Sequence, residues 1–445
     1  MQVKKEVKAV LRALTDAGYE AYAVGGAVRD ALLGKEPFDW DVTTAALPEQ
    51  LMALFGESAI PTGLRHGTVT VRQDGESIEV TTYRKDGDYE DHRHPVEVEF
   101  TSSLREDLCR RDFTVNAMAL SEDGELVDPL GGEADLKAGV LRAVGDAEAR
   151  FEEDALRILR GLRFAAVLDF TIEEETAAAM RTKRELLREI AAERVQVELT
   201  KLLCGRAVRR VLMDYSDILG VVIPEILPSV GFDHQNPHHC FDVWEHTACA
   251  VENIPPEPIL RWVMLLHDLG KPAVCVYDHE AGKARYGGHQ AKSVELAKEI
   301  LPRLRFDNES ARRILRLVEH HDRLFDPTEK SIRRMLRIFG EEDLRALIHI
   351  RRADNLAQHP DFQAVRQGEL AACDVVLAKV LREQQCFSLS QLAVNGCDMM
   401  EAGLSGKEIG EKLEYLLTEV VEGRLNNEKE TLLAAAKESI EKAHR

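Results

Sequence analysis

The chain has 445 residues, of which 44% are hydrophobic and 31% charged, a composition typical of soluble globular proteins rather than disordered ones. Asp and Glu outnumber Lys and Arg by 78 to 58, so the net charge of −20 excludes a basic coat over the whole surface but allows a local basic groove for RNA. No apolar run approaches the ~20 residues of a membrane span, and residues 1–9 lack the apolar core of a signal peptide, which predicts a cytoplasmic protein with no membrane partner. The eight cysteines form no C-x-x-C pair, which predicts reduced thiols.

Helices and strands alternate over the first third of the chain. In chain order, we predict a helix over residues 3–17, a strand over 20–24, a helix over 27–33, a strand over 38–42, and strands over 66–71 and 78–83 joined by the Asp-Gly turn of a hairpin. The polar, turn-rich residues that follow, 86–95, indicate a loop. Two adjacent glycines at 131 and 132 end this α+β part.

From residue 135 onward, helical periodicity replaces the strand signals. Helices are predicted over residues 151–167, 174–180, 184–192 and 196–203, and a segment rich in Pro, Gly and Asn over 224–237 marks a boundary before a second helical unit over 239–358. The predicted fold class is α+β: a head with a small mixed β-sheet and helices over residues 1–137, then an all-α neck over 138–230, a histidine-rich domain over 231–365 and a helical tail over 366–445.

Two aspartates on the predicted strand 38–42 are a candidate catalytic pair. Side chains alternate along a strand, so Asp39 and Asp41 project from the same face. Paired carboxylates are hard oxygen ligands that suit Mg²⁺, and two such ions activate an attacking hydroxyl and stabilise a leaving pyrophosphate. Glu79, on a neighbouring strand, is a candidate third carboxylate. Taken alone, an Asp-x-Asp pair is more often a solvated surface charge.

A glycine turn lies upstream of this aspartate pair. Gly25 and Gly26 follow a strand and allow close approach of the backbone to a ligand, and the helix after them presents free N–H groups to a phosphate. Arg29 adds a charge-assisted phosphate contact. The order strand, Gly-Gly, helix, Asp-x-Asp strand therefore predicts a phosphate cradle followed by a metal site.

The glycine turn, the aspartate pair and residues 110–117 (RRDFTVNA) resemble the class II tRNA nucleotidyltransferases, which share their head with bacterial poly(A) polymerases and belong to the polymerase-β superfamily. The match continues in the family's order to residues 198–199 and covers about the first 205 residues. It implies that Asp39 and Asp41 hold catalytic Mg²⁺ ions. The nucleotide-binding residues that the motifs and the resemblance together predict are Gly25, Gly26, Arg29, Arg111, Asp112, Asn116, Asp154, Arg157, Arg160 and Arg163.

Asp154 and Arg157 provide a mechanism for selecting the base. Three residues apart on a helix, they share a face, and an acceptor beside a donor matches the amine and ring nitrogen on the pairing edge of cytosine and adenine. Uracil and guanine would leave both groups unmatched, at a cost of roughly 1–3 kcal/mol. The pair therefore predicts use of CTP and ATP without a nucleic-acid template. The alternative is an exposed ion pair with no role in recognition.

Two further segments bear on the RNA substrate. Residues 84–100, which include Tyr89 and His94, resemble the flexible loop of relatives that add all three nucleotides, and this favours complete C-C-A addition. Basic residues between positions 181 and 210 are a candidate phosphate track for tRNA, with a solvated surface as the alternative.

Histidines and aspartates recur along the second helical unit, and this ligand set suits Mg, Mn, Fe, Ni or Zn rather than a thiolate site. Their surrounding segments resemble the HD-domain metal-dependent phosphohydrolases over about 120 residues. The resemblance implies either metal-assisted attack of water on a phosphoester or a structural remnant. The implied metal ligands are His246, His267, Asp268 and Asp354, with His289 and His320 as second-metal or substrate residues and His321 as the alternative to His320.

Together, these features predict an enzyme that adds and repairs the 3′-terminal C-C-A of tRNA with CTP and ATP by two-metal nucleotidyl transfer, with a phosphohydrolase activity in the HD domain as a second candidate. The nearest competing function is that of a poly(A) polymerase, or of a specialist of the same family that adds only C or only A. A catalytically inactive RNA-binding protein is a further candidate, and so is a protein whose main activity is the phosphohydrolase.

Overall fold

The computed structural model describes residues 3–37, 39–86, 98–324, 326–383 and 385–443. The chain divides into two compact units: the first comprises Met1–Leu227 and Arg303–Phe306, and the second comprises Pro228–Pro302 and Asp307–Arg445. The predicted boundary within residues 224–237 agrees with this division, whereas the finer division into four domains stays a prediction. Among the described residues, no helix is both long enough and apolar enough to cross a membrane.

A seven-stranded mixed sheet forms the first part of the first unit. Its spatial order is Ala59–Gly63, Thr68–Gln73, Glu76–Thr82, Asp41–Thr44, Ala21–Val24, Ala119–Leu120 and Leu126–Val127. The strands Asp41–Thr44 and Glu76–Thr82 are parallel, and the other neighbouring pairs of this sheet are antiparallel. The predicted hairpin is confirmed: Asp74 and Gly75 both have positive φ, as a two-residue hairpin turn requires.

Helices surround the sheet and then continue alone to the end of the first unit. The first helix, Lys5–Asp16, buries Val7, Val10 and Leu14 and packs against the sheet. The other α-helices of this unit are Gly26–Leu32, Pro48–Phe55, Leu104–Cys109, Gly132–Ala138, Ala147–Glu153, Leu156–Leu168, Glu174–Lys183, Ala192–Leu203, Val208–Asp214 and Ser216–Val222. Two small strand pairs accompany them, Arg84–Asp86 with Val98–Phe100 and Val140–Leu141 with Thr171–Ile172.

Three predicted elements of the first unit differ from the structure. The strand predicted over residues 38–42 begins only at Asp41, so Asp39 lies before it and the strand argument for Asp39 is wrong. The helix predicted over 151–167 is two helices separated at Asp154, whose φ of −139° and ψ of 99° are not helical. The helix predicted over 184–192 is a 3₁₀ segment, Arg184–Glu189. The proposed nucleotide-addition loop falls largely on residues 87–97, which lie outside the described residues.

The second unit is helical, as predicted, except for one hairpin of the strands Val276–Asp278 and Lys283–Arg285. Its α-helices are Val243–Asn253, Pro258–Leu266, Lys271–Val274, His289–Arg303, Asn308–Glu319, Glu329–Leu356, Gln363–Arg382, Gly396–Glu401, Lys407–Val421 and Lys429–Ala443. Trp244 and Trp262 are fully buried in its core. The longest helix breaks at Gly340, where φ is 76°.

Candidate active sites

A pocket of about 460 Å³ opens in the first unit where the strand Ala21–Val24 ends and the strand Asp41–Thr44 begins. It gathers the glycine turn, one aspartate of the predicted pair and the arginines of two separate sequence motifs. The lining residues are Gly25, Gly26, Arg29, Asp41, Arg110, Arg111, Asp112, Asn116, Asp154, Arg157, Arg160, Arg163, Phe164 and Arg194. Of the residues predicted for this site, only Asp39 and Glu79 lie outside the lining.

The register of the β-sheet determines which residues lie beside Asp41. Asp41 pairs directly with Glu79 on the parallel neighbour and with Val24 on the other side, so Asp41 sits beside both Glu79 and the glycine turn. Removal from water raises the pKa of Asp41, and the negative charges of Glu79 and Asp39 raise it further, whereas Arg111 lowers it. The neighbouring carboxylates therefore oppose the ionisation of Asp41, and a cation beside it would relieve that repulsion.

The first position of the glycine turn, Gly25, requires a glycine. Gly25 has a φ of 76°, and a Cβ atom there would lie 3.4 Å from Nη1 of Arg111 and 3.8 Å from Oδ2 of Asp41. A side chain at this position would be strained and would occupy the space between the two functional groups.

A buried hydrogen-bond network around Asp112 holds several of the side chains that line the pocket. Asp112 accepts two hydrogen bonds from Arg160, at 2.9 and 2.6 Å, one from Nδ2 of Asn116 at 3.0 Å and one from the backbone N–H of Phe113 at 2.8 Å. Arg29 donates to Oδ1 of the same Asn116 at 2.6 Å. Burial alone would raise the pKa of Asp112, but the charge of Arg160 and these hydrogen bonds hold it at about 2.

The pocket is rich in positive charge. Seven of its lining residues are arginines, and the guanidinium groups of Arg163, Arg29 and Arg160 lie 3.9, 5.1 and 5.5 Å from the ring centre of Phe164. Nε of Arg111 and Nη1 of Arg194 are buried donors without a hydrogen-bond partner. Buried donors in native proteins are nearly always paired, so these groups indicate a site for an anionic ligand.

Asp154 and Arg157 both line the pocket, but they do not share a helical face. Arg157 donates to Oε2 of Glu153 at 2.6 Å and to the carbonyl oxygens of Arg150 and Arg110 at 3.1 and 2.9 Å. Asp154 instead accepts from Arg194 at 3.0 Å. The helical argument for this pair is wrong because the helix is interrupted at Asp154. Arg194, which holds Asp154, was predicted only as part of the basic stretch 181–210 and not as a residue of the nucleotide pocket.

The predicted basic stretch of residues 181–210 is partly engaged by acids of its own unit. Lys183 pairs with Glu148 and Glu152, and Arg210 lies 3.1 Å from Asp169. Its role as a tRNA track stays a prediction.

A second cluster lies inside the second unit. Ligand atoms of His246, His267, Asp268 and Asp354 lie within 4.8 Å of one another, and so do those of Asp268, His289 and His321. Across the described part of the chain, these are the two groups of three or more His, Cys, Asp or Glu side chains arranged in this way. Oδ2 of Asp268 faces His246 and His267 at 3.3 and 3.1 Å, and its Oδ1 faces His289 and His321 at 3.5 and 3.8 Å.

The imidazole rings are oriented by backbone carbonyls. Nδ1 of His246, His267, His289 and His321 lies 3.1, 2.7, 2.9 and 2.7 Å from the carbonyl oxygens of Ala357, Met264, Tyr286 and Val318. A carbonyl only accepts, so each Nδ1 donates a hydrogen bond to it and each Nε2 faces the cluster. Nε2 of His246 and His267 and Oδ1 of Asp268 are buried with no hydrogen-bond partner.

Electrostatics also favour a cation at this cluster. Burial alone would lower the pKa of His267, but Asp268 and Asp354 raise it to about 9. Burial alone would raise the pKa of Asp268, yet His267 and Lys271 hold it well below its usual range. Two carboxylates and two backbone-oriented imidazoles are therefore gathered in one buried cluster, a donor set that fits a divalent metal ion.

Two details of the predicted cluster are corrected. His321, not His320, joins it: the helix Asn308–Glu319 ends just before, and His320 turns its ring onto Phe339 at a centroid distance of 5.0 Å. His267 and Asp268 lie in the turn after the helix Pro258–Leu266 rather than within it. Gly270 permits this turn, because a Cβ atom there would lie 2.5 Å from the carbonyl oxygen of His289.

Three residues around the cluster escaped the sequence prediction. Nζ of Lys271 lies 2.6 Å from Oδ2 of Asp268 and 3.3 Å from Nε2 of His234. The rings of His234 and His239 stack at 3.8 Å with an interplanar angle of 3°. Lys271 follows Asp268 by three residues, a spacing that reveals neighbours on a turn. His234 lies in the segment interpreted only as a boundary, and His239 is the first residue of the predicted second helical unit.

The first pocket, with its glycine turn, carboxylate strand and arginine-lined anion site, defines a nucleotidyltransferase of the poly(A) polymerase class. The poly A polymerase head domain matches residues 21–142, the probable RNA and SrmB-binding site of polymerase A matches residues 169–229, and the putative tRNA nucleotidyltransferase domain 2 matches residues 289–436.

Whole-chain comparisons narrow this class to one family. The chain is 35% identical to the CCA-adding enzyme of Levilactobacillus brevis over 427 residues, 96% of both proteins, and 34% identical to that of Bacillus pumilus over 428 residues, 95% of this chain and 94% of the relative. A crystal structure of the Bacillus stearothermophilus CCA-adding enzyme in complex with CTP matches with a TM-score of 0.73 and 29% identity, over 99% of both chains. The chain belongs to the CCA-adding enzymes, and the predicted resemblance of its first half is confirmed. Enzymes of this family use divalent metal ions.

Proposed function

We propose that the first unit adds and repairs the 3′-terminal C-C-A of tRNA, using CTP and ATP without a nucleic-acid template, in the cytoplasm. The observation that carries this proposal is the pocket that joins Asp41 and the glycine turn to seven arginines. An anionic triphosphate fits this charge pattern, and membership of the CCA-adding enzymes supplies the tRNA substrate and the two nucleotides.

The carboxylates fit Mg²⁺ because all three are hard oxygen donors whose charges oppose one another. Asp39 and Asp41 would hold the ions, with Glu79 beside Asp41 in register. Mg²⁺ chemistry at this position activates the RNA 3′-hydroxyl and neutralises charge on the departing pyrophosphate. Arg29 and Arg111 bind the triphosphate, and Gly25 lets the backbone approach it.

Asp154 and Arg157 select the base of the incoming nucleotide. Glu153 and two backbone carbonyls fix the Arg157 guanidinium, and Arg194 fixes the Asp154 carboxylate. An acceptor and a donor held in this way match cytosine and adenine and leave uracil and guanine unpaired.

The test is primer extension on a tRNA transcript that lacks C-C-A, with each nucleotide singly and with CTP plus ATP. We expect two additions with CTP alone and a stop after three with both. Long A tails without CTP use would instead assign a poly(A) polymerase, and addition of only C or only A would assign a specialist.

A second activity is proposed for the second unit: metal-dependent hydrolysis of a phosphoester. The buried, unpaired Nε2 atoms of His246 and His267 and Oδ1 of Asp268 favour it over a structural remnant, since unmet polar groups destabilise a fold unless a ligand occupies them. A divalent ion held by His246, His267, Asp268 and Asp354 supplies Lewis acidity toward a phosphoester. Lys271 places a positive charge beside the same carboxylate, where it attracts a phosphate.

Metal content and phosphatase activity test this second proposal. We expect bound metal and hydrolysis in the wild type, and neither in the second unit of Asp268→Ala. Asp326→Ala, which removes an exposed carboxylate of the same unit, is the matched control. A wild type that binds no ion outside the first unit would refute the proposal.

A further inference from the structure

A buried aspartate of the first unit, Asp107, contacts arginines of the nucleotide pocket but does not line the pocket itself. Asp107 has no exposed surface, whereas Arg110 and Arg111 are both lining residues. It belongs to the helix Leu104–Cys109, and Arg111 follows it by four residues, about one turn further along the chain. A role for Asp107 in the pocket would therefore act through its neighbours.

Both oxygens of this carboxylate accept hydrogen bonds, and the donors come from separate elements. Oδ1 accepts from Nε and Nη2 of Arg110 at 3.0 and 2.8 Å and from the backbone N–H of Arg84 at 3.4 Å. Oδ2 accepts from Nη2 of Arg111 at 3.4 Å and from the hydroxyl of Thr43 at 3.2 Å. Burial alone would raise the pKa of Asp107, but the charges of Arg110 and Arg111 hold it below its usual value, so the group is an anion at neutral pH.

Thr43 connects this carboxylate to the strand that begins at Asp41. The two residues are two positions apart on the strand Asp41–Thr44 and therefore project from the same face. Oδ2 of Asp107 is thus shared by this strand and by Arg111. A single carboxylate oxygen links a pocket arginine to the strand that carries the candidate metal ligand.

The guanidinium of Arg111 is held on one side. Nη2 bonds to Asp107, Nη1 lies 3.4 Å from the position that a Cβ atom at Gly25 would take, and Nε is buried without a hydrogen-bond partner. Across the described residues, Asp107 is the only carboxylate within ion-pair distance of Arg111. The direction of this guanidinium toward the glycine turn therefore depends on Asp107.

We propose that Asp107 is a positioning residue for nucleotidyl transfer: it holds Arg111 against the strand of Asp41, so that the guanidinium meets the triphosphate beside that carboxylate. This inference rests on the proposed triphosphate site. Adjacent arginines repel each other, and an anion that both share lets them stay close while their other nitrogens remain available to phosphate oxygens. Asp107 acts on the nucleotide through Arg111 and contacts neither the nucleotide nor the metal.

The test compares CTP with cytidine, which has the same base but no phosphate, in the absence of tRNA so that no addition occurs. Isothermal titration calorimetry gives the dissociation constants, and the Tm reports folding. Asp107→Asn should weaken binding of CTP about tenfold and binding of cytidine by less than about twofold. The direction of the change is informative, because loss of a negative charge by itself would strengthen binding of an anionic nucleotide.

Two further variants show whether the link acts through Arg111. In an Arg111→Gln background, Asp107→Asn should weaken CTP binding by no more than about a further twofold, since residues that act through one another are not additive. Thr43→Val keeps the shape of the side chain but removes its hydroxyl, and it should weaken CTP binding about threefold. This variant tests the link even if Asp107→Asn does not fold.

Asp135→Asn is the matched control. Asp135 accepts from the hydroxyl of Thr114 at 2.7 Å and lies 3.2 Å from Arg142, but it does not line the nucleotide pocket, so this variant should bind CTP as the wild type does.

The positioning role would be overturned if Asp107→Asn weakened CTP and cytidine equally, if it left CTP binding unchanged or tighter, or if it caused the full loss again in the Arg111→Gln background. Unchanged CTP binding in Thr43→Val would likewise overturn the link to the strand. A wild type that binds CTP no more tightly than cytidine would instead refute the proposed triphosphate site.

Discussion

The two candidate sites differ in the burial of their carboxylates and in the residues that surround those carboxylates. In the first unit, Asp39 and Glu79 are exposed and Asp41 borders an open pocket, where partial removal from water raises its pKa, and the surrounding positive charge comes from arginines. In the second unit, Asp268 and Asp354 are buried, and their partners are mostly histidines. The comparison teaches that exposed carboxylates can stay hydrated until a ligand binds, whereas carboxylates buried in the fold need partners that the fold itself provides.

The cost of burial explains this difference. An exposed carboxylate is solvated by water until its ligand arrives, but a buried one requires a cation or a proton. Lys271 lies 2.6 Å from Asp268, and Arg351 lies 3.2 Å from Asp354, so each buried aspartate has one fixed positive neighbour. The carboxylate oxygens that face the histidines are the donors that the proposed metal ion would use.

The strongest test of the comparison removes a carboxylate from the exposed site. Asp41→Ala should reduce nucleotide addition to tRNA roughly 10³-fold, about 4 kcal/mol in transition-state free energy, because the attacking hydroxyl loses its activated position. Single-turnover addition of CTP measures this. Glu57→Gln, an exposed acidic residue of the same unit, is the control. Retention of activity in Asp41→Ala would refute its assignment as a metal ligand.

Metal removal should affect stability mainly through the buried site. An ion bound only to the folded state, at a concentration about 1,000-fold above its dissociation constant, stabilises by about 4 kcal/mol. Chelation should therefore lower the Tm of the wild type, and Asp268→Ala should have a Tm that no longer responds to chelator. If the Tm of the wild type is also insensitive to chelator, the buried cluster does not hold a metal under those conditions.

Base selection sharpens the comparison within the first unit. Asp154→Ala should reduce the preference for CTP over UTP about tenfold to hundredfold, since the acceptor that matches the cytosine amine is lost. The ratio of kcat/KM for the two nucleotides measures it. Arg188→Gln, an exposed change in the same helical region, should leave the ratio unchanged. An unaltered ratio in Asp154→Ala would assign selection to other residues.

The smallest expected effect concerns acid stability of the buried network around Asp112. Its pKa is lowered in the folded state from 3.8 to about 2, so it contributes stability above pH 3.8 that is lost as the pH falls toward 2. The contribution is about 2 kcal/mol at neutral pH. The free energy of unfolding, measured with urea between pH 2 and 6, should fall as the pH falls in the wild type. It should fall less steeply in Arg160→Gln. An identical slope in both would remove Arg160 as the cause.

Much of the first site could be predicted from the sequence because its groups lie at the ends of local elements. The glycine turn follows a strand, and Asp41 begins the next, so their proximity follows from pairing of two short strands. Asp154 could not be placed in this way. Its backbone leaves the helix, and its partner Arg194 lies 40 residues further along, a contact that local periodicity does not encode.

The second site shows the same limit. The recurrence of His and Asp residues, with the resemblance to HD domains, predicted a cluster, but neighbouring His320 and His321 could not be distinguished in this way. Only the end of the helix at Glu319 and the carbonyl of Val318 decide that His321 turns inward. His234 and His239 were missed because they lie on a loop with no period to interpret.

The sequence by itself determined the α+β order, the chemical identity of both ligand sets and the family. Those properties depend on residue types in a fixed linear order, which the chain carries directly. Tertiary structure alone decided that Glu79 lies beside Asp41, that Arg194 holds Asp154, and that Lys271, His234 and His239 adjoin the metal cluster. Those relations depend on sheet register, a break in a helix and the packing of distant segments, and each is set by the energy of the whole fold rather than by a local pattern.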